Sequence, residues 1–337
     1  MTRIAVLGAG IIGLFSAFTL SLEGYSVKVI TRSLEDQTSW IAGGMLAPFS
    51  EGLEGELLQL SLKSLELYPD ILDALYQVSG QKIGINQGGL LKLYNQDSTL
   101  EKFKDQILYR EDFFTDKTRL TAVSFKKEGY LDPTALIKAL ISSLSKLSVK
   151  IIIDNIVSVE KNNSKISKLI GIKDKYSADY FVICPGAWSA KIFNIPVFPT
   201  KGQALIVEGN FHPKTLYFNS TYVIPRRGFT YIGATSEPKN FTHGNTIGGI
   251  LNLINGFLEL FPEALNPKIS KTLYGFRPST PDNLPVLEFG ENFALLTGHH
   301  RNGILLAPAS ANLLLSALLS GPISGPFGLS RFSKAMT

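Results

Sequence analysis

Three glycines near the start of the chain have the spacing of a phosphate-binding turn. In Ile4-Ala5-Val6-Leu7-Gly8-Ala9-Gly10-Ile11-Ile12-Gly13 a short apolar run enters Gly-x-Gly-x-x-Gly. Gly8 permits the tight turn out of a strand. Gly10 lets a pyrophosphate approach the main chain, and Gly13 lets the next helix pack closely on the strand. The start of that helix then offers free N–H groups and a partial positive charge to the phosphates. A glycine-rich turn in an ordinary α/β domain is the competing reading. The flanking sequence favours dinucleotide binding, because an apolar helix over residues 14–22 and a second apolar run over 26–30 complete a β-α-β unit.

Other residues able to do chemistry are few. Thr31-Arg32-Ser33 follows the second run, where an acid usually holds the ribose hydroxyls. Thr31 weakens an NAD reading and leaves FAD open, since a hydroxyl or a backbone group also meets a ribose; Asp36 is a later candidate. Small residues dominate 37–48, with Gly43 beside Gly44. Such a stretch is either a flexible loop or a backbone passing close to something flat, and the preceding turn favours close approach to a cofactor. His299 and His300 are adjacent on a turn and point in different directions, with no carboxylate nearby in sequence, so no metal site is expected. The single cysteine, Cys184, lies in an apolar run and reads as a core residue. It excludes a disulfide framework. No Ser-His-Asp or paired-carboxylate constellation is present.

The chain has 337 residues, 45% hydrophobic and 18% charged, which suits two intertwined domains with a sizeable core. The net charge of +5 is scattered, with only short pairs such as Lys126-Lys127 and Arg226-Arg227. A nucleic-acid partner would want a concentrated basic stripe, so none is expected. Residues 303–330 carry no charge but are interrupted by Pro308, Pro322 and Pro326. A buried helix of roughly a dozen residues is expected there, and no membrane span. The cytoplasm is the expected compartment.

The elements that must position the turn follow in order. Apolar stripes at helical spacing run over 54–78, with Pro69 marking a break or restart. Strands with a turn are expected over 83–94 and a charged helix over 101–119. Asp132 and Pro133 suit the N-cap and first position of a helix reaching about 147. A strand pair over 149–153 and 156–159 is followed by strands at 166–172 and 180–183. A second β-rich stretch holds strands at 204–208, 222–225 and 230–234, a helix over 248–261, and a last strand at 293–297. This interleaving predicts an α/β fold in which a Rossmann-type nucleotide-binding sheet receives an inserted, mostly antiparallel β-sheet. The expected division is 1–84, 134–199 and 275–337 for the cofactor domain, and 85–133 and 200–274 for the substrate domain.

Four motifs go further: Gly8 to Gly13; Ser39 to Pro48; Tyr222-Val223-Ile224-Pro225-Arg226; and Gly275-Phe276-Arg277-Pro278 followed by Gly298-His299-His300-Arg301-Asn302-Gly303-Ile304-Leu305-Leu306-Ala307-Pro308. With them the chain resembles the D-amino-acid-oxidase (DAO) superfamily of flavoproteins and, within it, the glycine oxidases of thiamine biosynthesis. The resemblance covers nearly the whole chain, and the tail pair is its most specific part. It implies a DAO/glutathione-reductase-like fold and FAD as cofactor. By position, it implies that Gly8, Gly10, Ile11, Ile12, Gly13, Thr31, Arg32, Thr38, Ser39, Gly43, Gly44 and Met45 line the FAD, with the Val157 backbone at the adenine. His299, His300, Arg301, Asn302, Gly303, Ile304 and Leu305 should run along the flavin ring. Arg277 should pair with the substrate carboxylate and Tyr222 lie over the pocket. Arg301 either touches substrate or holds the flavin loop. Ser236 stands where a methionine lines the pocket in some glycine oxidases.

The implied reaction oxidises glycine or another small amine-bearing carboxylate. The imine hydrolyses to an oxo acid and ammonia, and dioxygen is reduced to hydrogen peroxide. A guanidinium fork at Arg277 would grip the carboxylate through two parallel hydrogen bonds and fix the Cα–H direction. No general base is required if the amine binds neutral. The helix after Gly303 would stabilise negative charge on the flavin if its N-terminus points there. A D-amino-acid or sarcosine-type oxidase or dehydrogenase, and a catalytically silent flavoprotein partner, are the other readings. Related oxidases are often dimers or tetramers, so a homo-oligomer is an expectation.

Overall fold

Ile4, Ala5, Val6 and Leu7 are all buried, the pattern of a central parallel strand covered on both faces. In the computed structural model, which describes residues 1–95, 110–114 and 119–335, strand Arg3–Leu7 lies between parallel neighbours Ser26–Thr31 and Tyr180–Ile183. The full sheet runs, in spatial order, Val286–Phe289, Phe293–Thr297, Tyr180–Ile183, Arg3–Leu7, Ser26–Thr31, Lys150–Ile153. It draws on the first, middle and last parts of the chain, as the sequence pattern anticipates. Only Val286–Phe289 is antiparallel to its neighbour.

Helices α1 (Ile11–Leu22), α2 (Gly55–Ser79), α3 (Pro133–Lys146) and α6 (Gly303–Ser320) share one core with this sheet; α4 (Ser189–Ile192) and α5 (Ile247–Leu260) lie elsewhere in the chain order. Ile4 and Val6 face that core. Ala5 and Leu7, alternating with them, face a second cluster holding Ile166, Leu169 and Tyr176 of a three-stranded sheet. Asp132 caps α3 as expected, its Oδ1 accepting from Thr134 N at 2.9 Å and Ala135 N at 3.3 Å.

The larger sheet has nine strands and is mostly antiparallel. Its strands Phe198–Glu208 and Ile269–Ser279 pair over nearly their whole length. Leu90–Tyr94 and Thr215–Phe218 form its parallel pair.

Several expectations need correction. The helix expected over 101–119 falls largely on residues outside those described. Where the chain is described, Arg110–Phe114 is a strand paired with Arg119–Phe125. Residues 83–89 form an irregular approach with an isolated bridge from Asn86 to Tyr130, and only Leu90–Tyr94 is a strand. The strands Lys150–Ile153 and Ile156–Asn162 do not pair with each other; the first joins the nucleotide-type sheet and the second the three-stranded one. Pro69 does not break α2, because it lies on the exposed side where the carbonyl it leaves unpaired can meet water.

Pro308 does not break α6 either, and the helix is longer than expected. Proline has no N–H for the carbonyl four residues back, here Ile304. The buried Tyr68 hydroxyl of α2 donates to that carbonyl instead, and Ser64 Oγ accepts from Ala309 N at 3.1 Å. Residues His300–Ser320 are long and apolar enough to cross a membrane, but 56% of that window is buried against the rest of the protein. It is built as a core helix, contacting α1 and α2.

Candidate active site

The glycine turn ends at the N-terminus of α1. Gly8 has φ +103°, and a Cβ there would stand 2.2 Å from the Cys184 carbonyl oxygen. A Cβ on Gly13 would stand 2.0 Å from the Gly8 oxygen, so this glycine lets helix and turn touch. Gly10 differs. Its Cβ would meet nothing closer than Ser39 Oγ at 3.7 Å and Gln37 Oε1 at 3.8 Å, in a cavity. Protein packing does not demand glycine there, whereas a ligand lying on the main chain does. Gly10, as N-cap, has no side chain to cap α1, and the first turn carries no acid, so the positive end of the helix faces that cavity. Ser39 Oγ accepts from Ile11 N at 3.0 Å.

This cavity, about 480 Å³, is lined by Gly8, Gly10, Ile11, Ile12, Gly13, Thr31, Arg32, Thr38, Ser39, Gly43 and Val157. The same wall continues through His299, His300, Arg301, Gly303 and Ile304 to Tyr222 and Arg277. A second cavity of similar volume shares Gly43, Tyr222, Arg277, Arg301 and Ile304 with the first. Gly44, Met45, Asn302 and Leu305, expected beside the cofactor, line only this second cavity.

At the ribose position Thr31 is buried and its Oγ1 donates to the Ser33 carbonyl at 2.9 Å. Arg32 is engaged by protein groups. Its guanidinium stacks 3.9 Å from the Trp188 ring centroid and bonds Asp36 at 2.5 Å. Asp36 therefore serves Arg32 and does not line the cavity, contrary to its candidacy for the ribose.

Arg277 reaches the site from strand Ile269–Ser279. Thr38 pins that strand: its Oγ1 donates to the Phe276 carbonyl at 2.8 Å and accepts from Phe276 N at 3.1 Å. The guanidinium crosses the neighbouring strand at Gly202, where a Cβ would stand 2.5 Å from Cζ. Arg277 Nη1 donates to the Thr235 carbonyl at 3.0 Å, and among the described residues no carboxylate lies within ion-pair distance of it. A planar cation with donors to spare thus borders both cavities. Tyr222 stacks on Tyr231 with centroids 6.0 Å apart, and the Tyr231 hydroxyl donates to the Ile41 carbonyl at 2.9 Å. Arg226, from the same motif, donates to the carbonyl of Gly43 and holds the small-residue loop at the cavity wall.

The two histidines diverge as expected. His299 Nε2 lies 3.0 Å from Ser310 Oγ in the core, and burial pushes its pKa down to about 3. His300, with φ +49°, is pushed down to about 3 by burial and by facing Arg277 and Arg301. Both rings are neutral at pH 7. Arg301 bonds Glu51, Nη1 to Oε2, at 2.7 Å, with Tyr217 Oη at 3.5 Å. Burial opposes its charge, but Glu51 and Tyr217 outweigh that and raise its pKa.

Glu51, Tyr217, Gly202 and Trp188 were not singled out from sequence, though each lines or shapes the site. Trp188 follows a Gly turn after a strand, the one signal that could have marked it. Glu51 sits in an undistinguished loop, and nothing local marks it.

Residues 3–317 match the family model of FAD-dependent oxidoreductases, DAO. The chain belongs to this family. A DAO-family member uses FAD, and the first cavity fits such a ligand, with Gly10 open for a pyrophosphate and the N-terminus of α1 directed at it. The bifunctional protein ThiO/ThiG of Trichormus variabilis is 31% identical over 99% of this chain and 56% of its own length. This chain therefore spans about half of that relative. The glycine oxidase of Bacillus subtilis is 26% identical over 95% of this chain and 93% of its own. The crystal structure of glycine oxidase from Geobacillus kaustophilus superposes with a TM-score of 0.88, covering 98% of this chain and 99% of that one at 24% identity. The DAO family match thus runs over residues 3–317, and the shared fold covers 98% of the chain.

Proposed function

We propose that this DAO-family chain is an amino-acid oxidase that takes glycine, or another small amine with one carboxylate, to the imine. Water and dioxygen then yield the oxo acid, ammonia and hydrogen peroxide. The observation that carries this reading is Arg277: a guanidinium laid over Gly202, without a carboxylate partner among the described residues, on the wall common to both cavities.

The residues divide the work. Gly8, Gly10, Gly13 and the start of α1 would hold the pyrophosphate, Thr31 and the Val157 backbone the adenosine end, and the stretch from His299 to Ile304 the flavin end. Bound FAD supplies the two-electron acceptor and the route from it to dioxygen. Arg277 holds the substrate carboxylate in a fork and so aims its Cα–H, an orienting effect worth on the order of several kcal/mol of barrier. Tyr222 closes one side of the substrate. His300, neutral and beside Arg277 and Arg301, adds no charge to the pocket. Gly303 and Ile304 bring the N-terminus of α6 to the cavity wall, where its dipole favours negative charge on a ligand.

The reading includes a cofactor domain of 1–84, 134–199 and 275–337 and a substrate domain of 85–133 and 200–274. The separate six- and nine-stranded sheets support this division in outline, although strands Phe198–Glu208 and Ile269–Ser279 of the larger sheet straddle its boundaries at 199/200 and 274/275. It also includes a role in forming the thiazole of thiamine, which the name of the ThiO/ThiG relative supports. A cytoplasmic setting accords with one buried, free cysteine. A homo-oligomer accords with the exposed Ile247 and Leu251 of α5.

The test is direct. Purified protein should show a flavin spectrum and form peroxide in air with glycine, sarcosine or a member of a D-amino-acid panel. A yellow protein bleached by none of them, with or without oxygen, overturns the oxidase reading in favour of a silent flavoprotein.

A further inference from the structure

The second cavity is bordered by two guanidinium groups that differ in one respect. Arg277 has no acidic partner among the described residues, whereas Arg301 is matched by Glu51 at 2.7 Å. The Glu51 side chain is 5% exposed, although both residues line the cavity. A carboxylate withdrawn from water to this degree is held in place for a cation, and it already neutralises Arg301, whose side chain stays 40% exposed.

The loop carrying Glu51 is fastened from behind. The Glu128 carboxylate accepts from Phe49 N at 2.5 Å and Ser50 N at 3.1 Å, and Lys92 Nζ donates to the Ser50 carbonyl at 2.6 Å. Glu51 N donates to the Ala47 carbonyl at 3.1 Å, closing a turn. These bonds fix the backbone leading into Glu51, so its carboxylate is presented to Arg301 from a rigid support. Of the charged groups lining the cavity, Arg301 pairs with Glu51, while Glu237 accepts from Gln203, Thr235 and Asn240. His300 is neutral, and among the described residues Arg277 is the lining guanidinium without an ion-pair partner. Such a group is the complement of one carboxylate.

We infer that Glu51 is a specificity-determining residue: by occupying Arg301 it restricts the cavity to ligands with a single carboxylate and turns away those carrying a second acidic group. A dicarboxylate would compete with Glu51 for Arg301, and drawing that cation away would leave the Glu51 carboxylate buried with its pairing weakened. Such a penalty on the wrong ligand is how a site discriminates without adding contacts to the right one. This inference rests on the proposed role of Arg277 as the carboxylate anchor.

The test uses flavin-loaded protein and ligands that are not oxidised. Glycolate carries one carboxylate and diglycolate two, and binding of each is followed through the perturbation of the flavin absorbance. Wild-type protein should bind glycolate more tightly than diglycolate. Glu51→Gln should shift the ratio toward diglycolate by about tenfold or more, since it frees a cation facing the cavity. Adding Arg301→Gln to that variant should return the ratio toward the wild-type value. An unchanged ratio in Glu51→Gln, or a gain that persists without Arg301, contradicts the inference. If Glu51→Gln does not fold or hold flavin, the wild-type preference decides, because tighter binding of diglycolate than glycolate by the native protein overturns it alone. Turnover is scored separately with glycine and iminodiacetate. Failure of all amines to react removes the oxidase reading without altering the binding ratio, so the two failures are distinguishable.

Discussion

The guanidinium of Arg277 lies against the main chain of Gly202, so closely that a Cβ there would stand 2.5 Å from Cζ and 2.6 Å from Nη1. A glycine in the middle of a strand normally weakens it. Here its bare backbone is the bed on which the arginine lies. Gly202→Ala should therefore displace Arg277 with little effect on flavin binding. A displacement of this size should lower kcat/KM for the best carboxylate substrate roughly 10- to 100-fold. Steady-state kinetics on flavin-saturated protein check this, and unchanged kinetics would place the arginine elsewhere.

Gly10 offers a complementary test at the other end of the site. Because its Cβ would project into the cavity without touching protein closer than 3.7 Å, Gly10→Val should fold normally and lose FAD. Gly13→Val, whose Cβ would collide with the Gly8 carbonyl, should destabilise the fold itself. Flavin content and thermal unfolding, measured together, separate the two outcomes. Full flavin retention by Gly10→Val would remove the pyrophosphate assignment.

Tyr68 supplies what Pro308 withholds. Its hydroxyl satisfies the Ile304 carbonyl in a buried contact between α2 and α6. Tyr68→Phe keeps the ring and leaves that carbonyl unpaired, at a cost of about 1–3 kcal/mol. Denaturant unfolding should report the loss. Tyr68→Phe combined with Pro308→Ala should recover part of it, because alanine restores the helical N–H.

Glu128 gives a pH dependence of a definite sign. Burial pushes its carboxyl up to about 7 from an ordinary value of 4.5, against the hydrogen bonds from Ser50 and Phe49 that favour the charged form. The folded state thus holds this proton more tightly than the unfolded chain. The resulting stabilisation is complete below pH 4.5 and is lost as pH rises toward and through 7, at most about 3 kcal/mol. Between pH 5 and 8 the melting temperature of the wild type should fall relative to that of Glu128→Gln. Parallel curves for the two proteins would show that the carboxyl titrates normally.

The sequence made the parts of the site that depend on local spacing legible. The glycine turn, the α1 helix after it and the Asp132 cap stand where the residues placed them, whereas Arg277 and Arg301, located by resemblance and not by spacing, line the cavity. What escaped was tertiary. Glu51 meets an arginine 250 residues away, and Gly202 matters only because a neighbouring strand lays a side chain over it. The run over 101–119 reads as a charged helix, yet Arg110–Phe114 is a strand paired with Arg119–Phe125, a pairing that depends on residues largely outside the run. Pro69 and Pro308 read as breaks because the sequence does not reveal which carbonyls reach water or a tyrosine.

The central claim is that Arg277 anchors the substrate carboxylate, and Arg277→Met tests it most directly. Glycolate binding to the flavin-loaded protein and steady-state oxidation of glycine would be measured side by side. Loss of a charge-assisted fork should weaken glycolate binding and raise the apparent KM by roughly two to three orders of magnitude, with FAD fully retained. Native-like glycolate binding and KM in this variant would contradict the account.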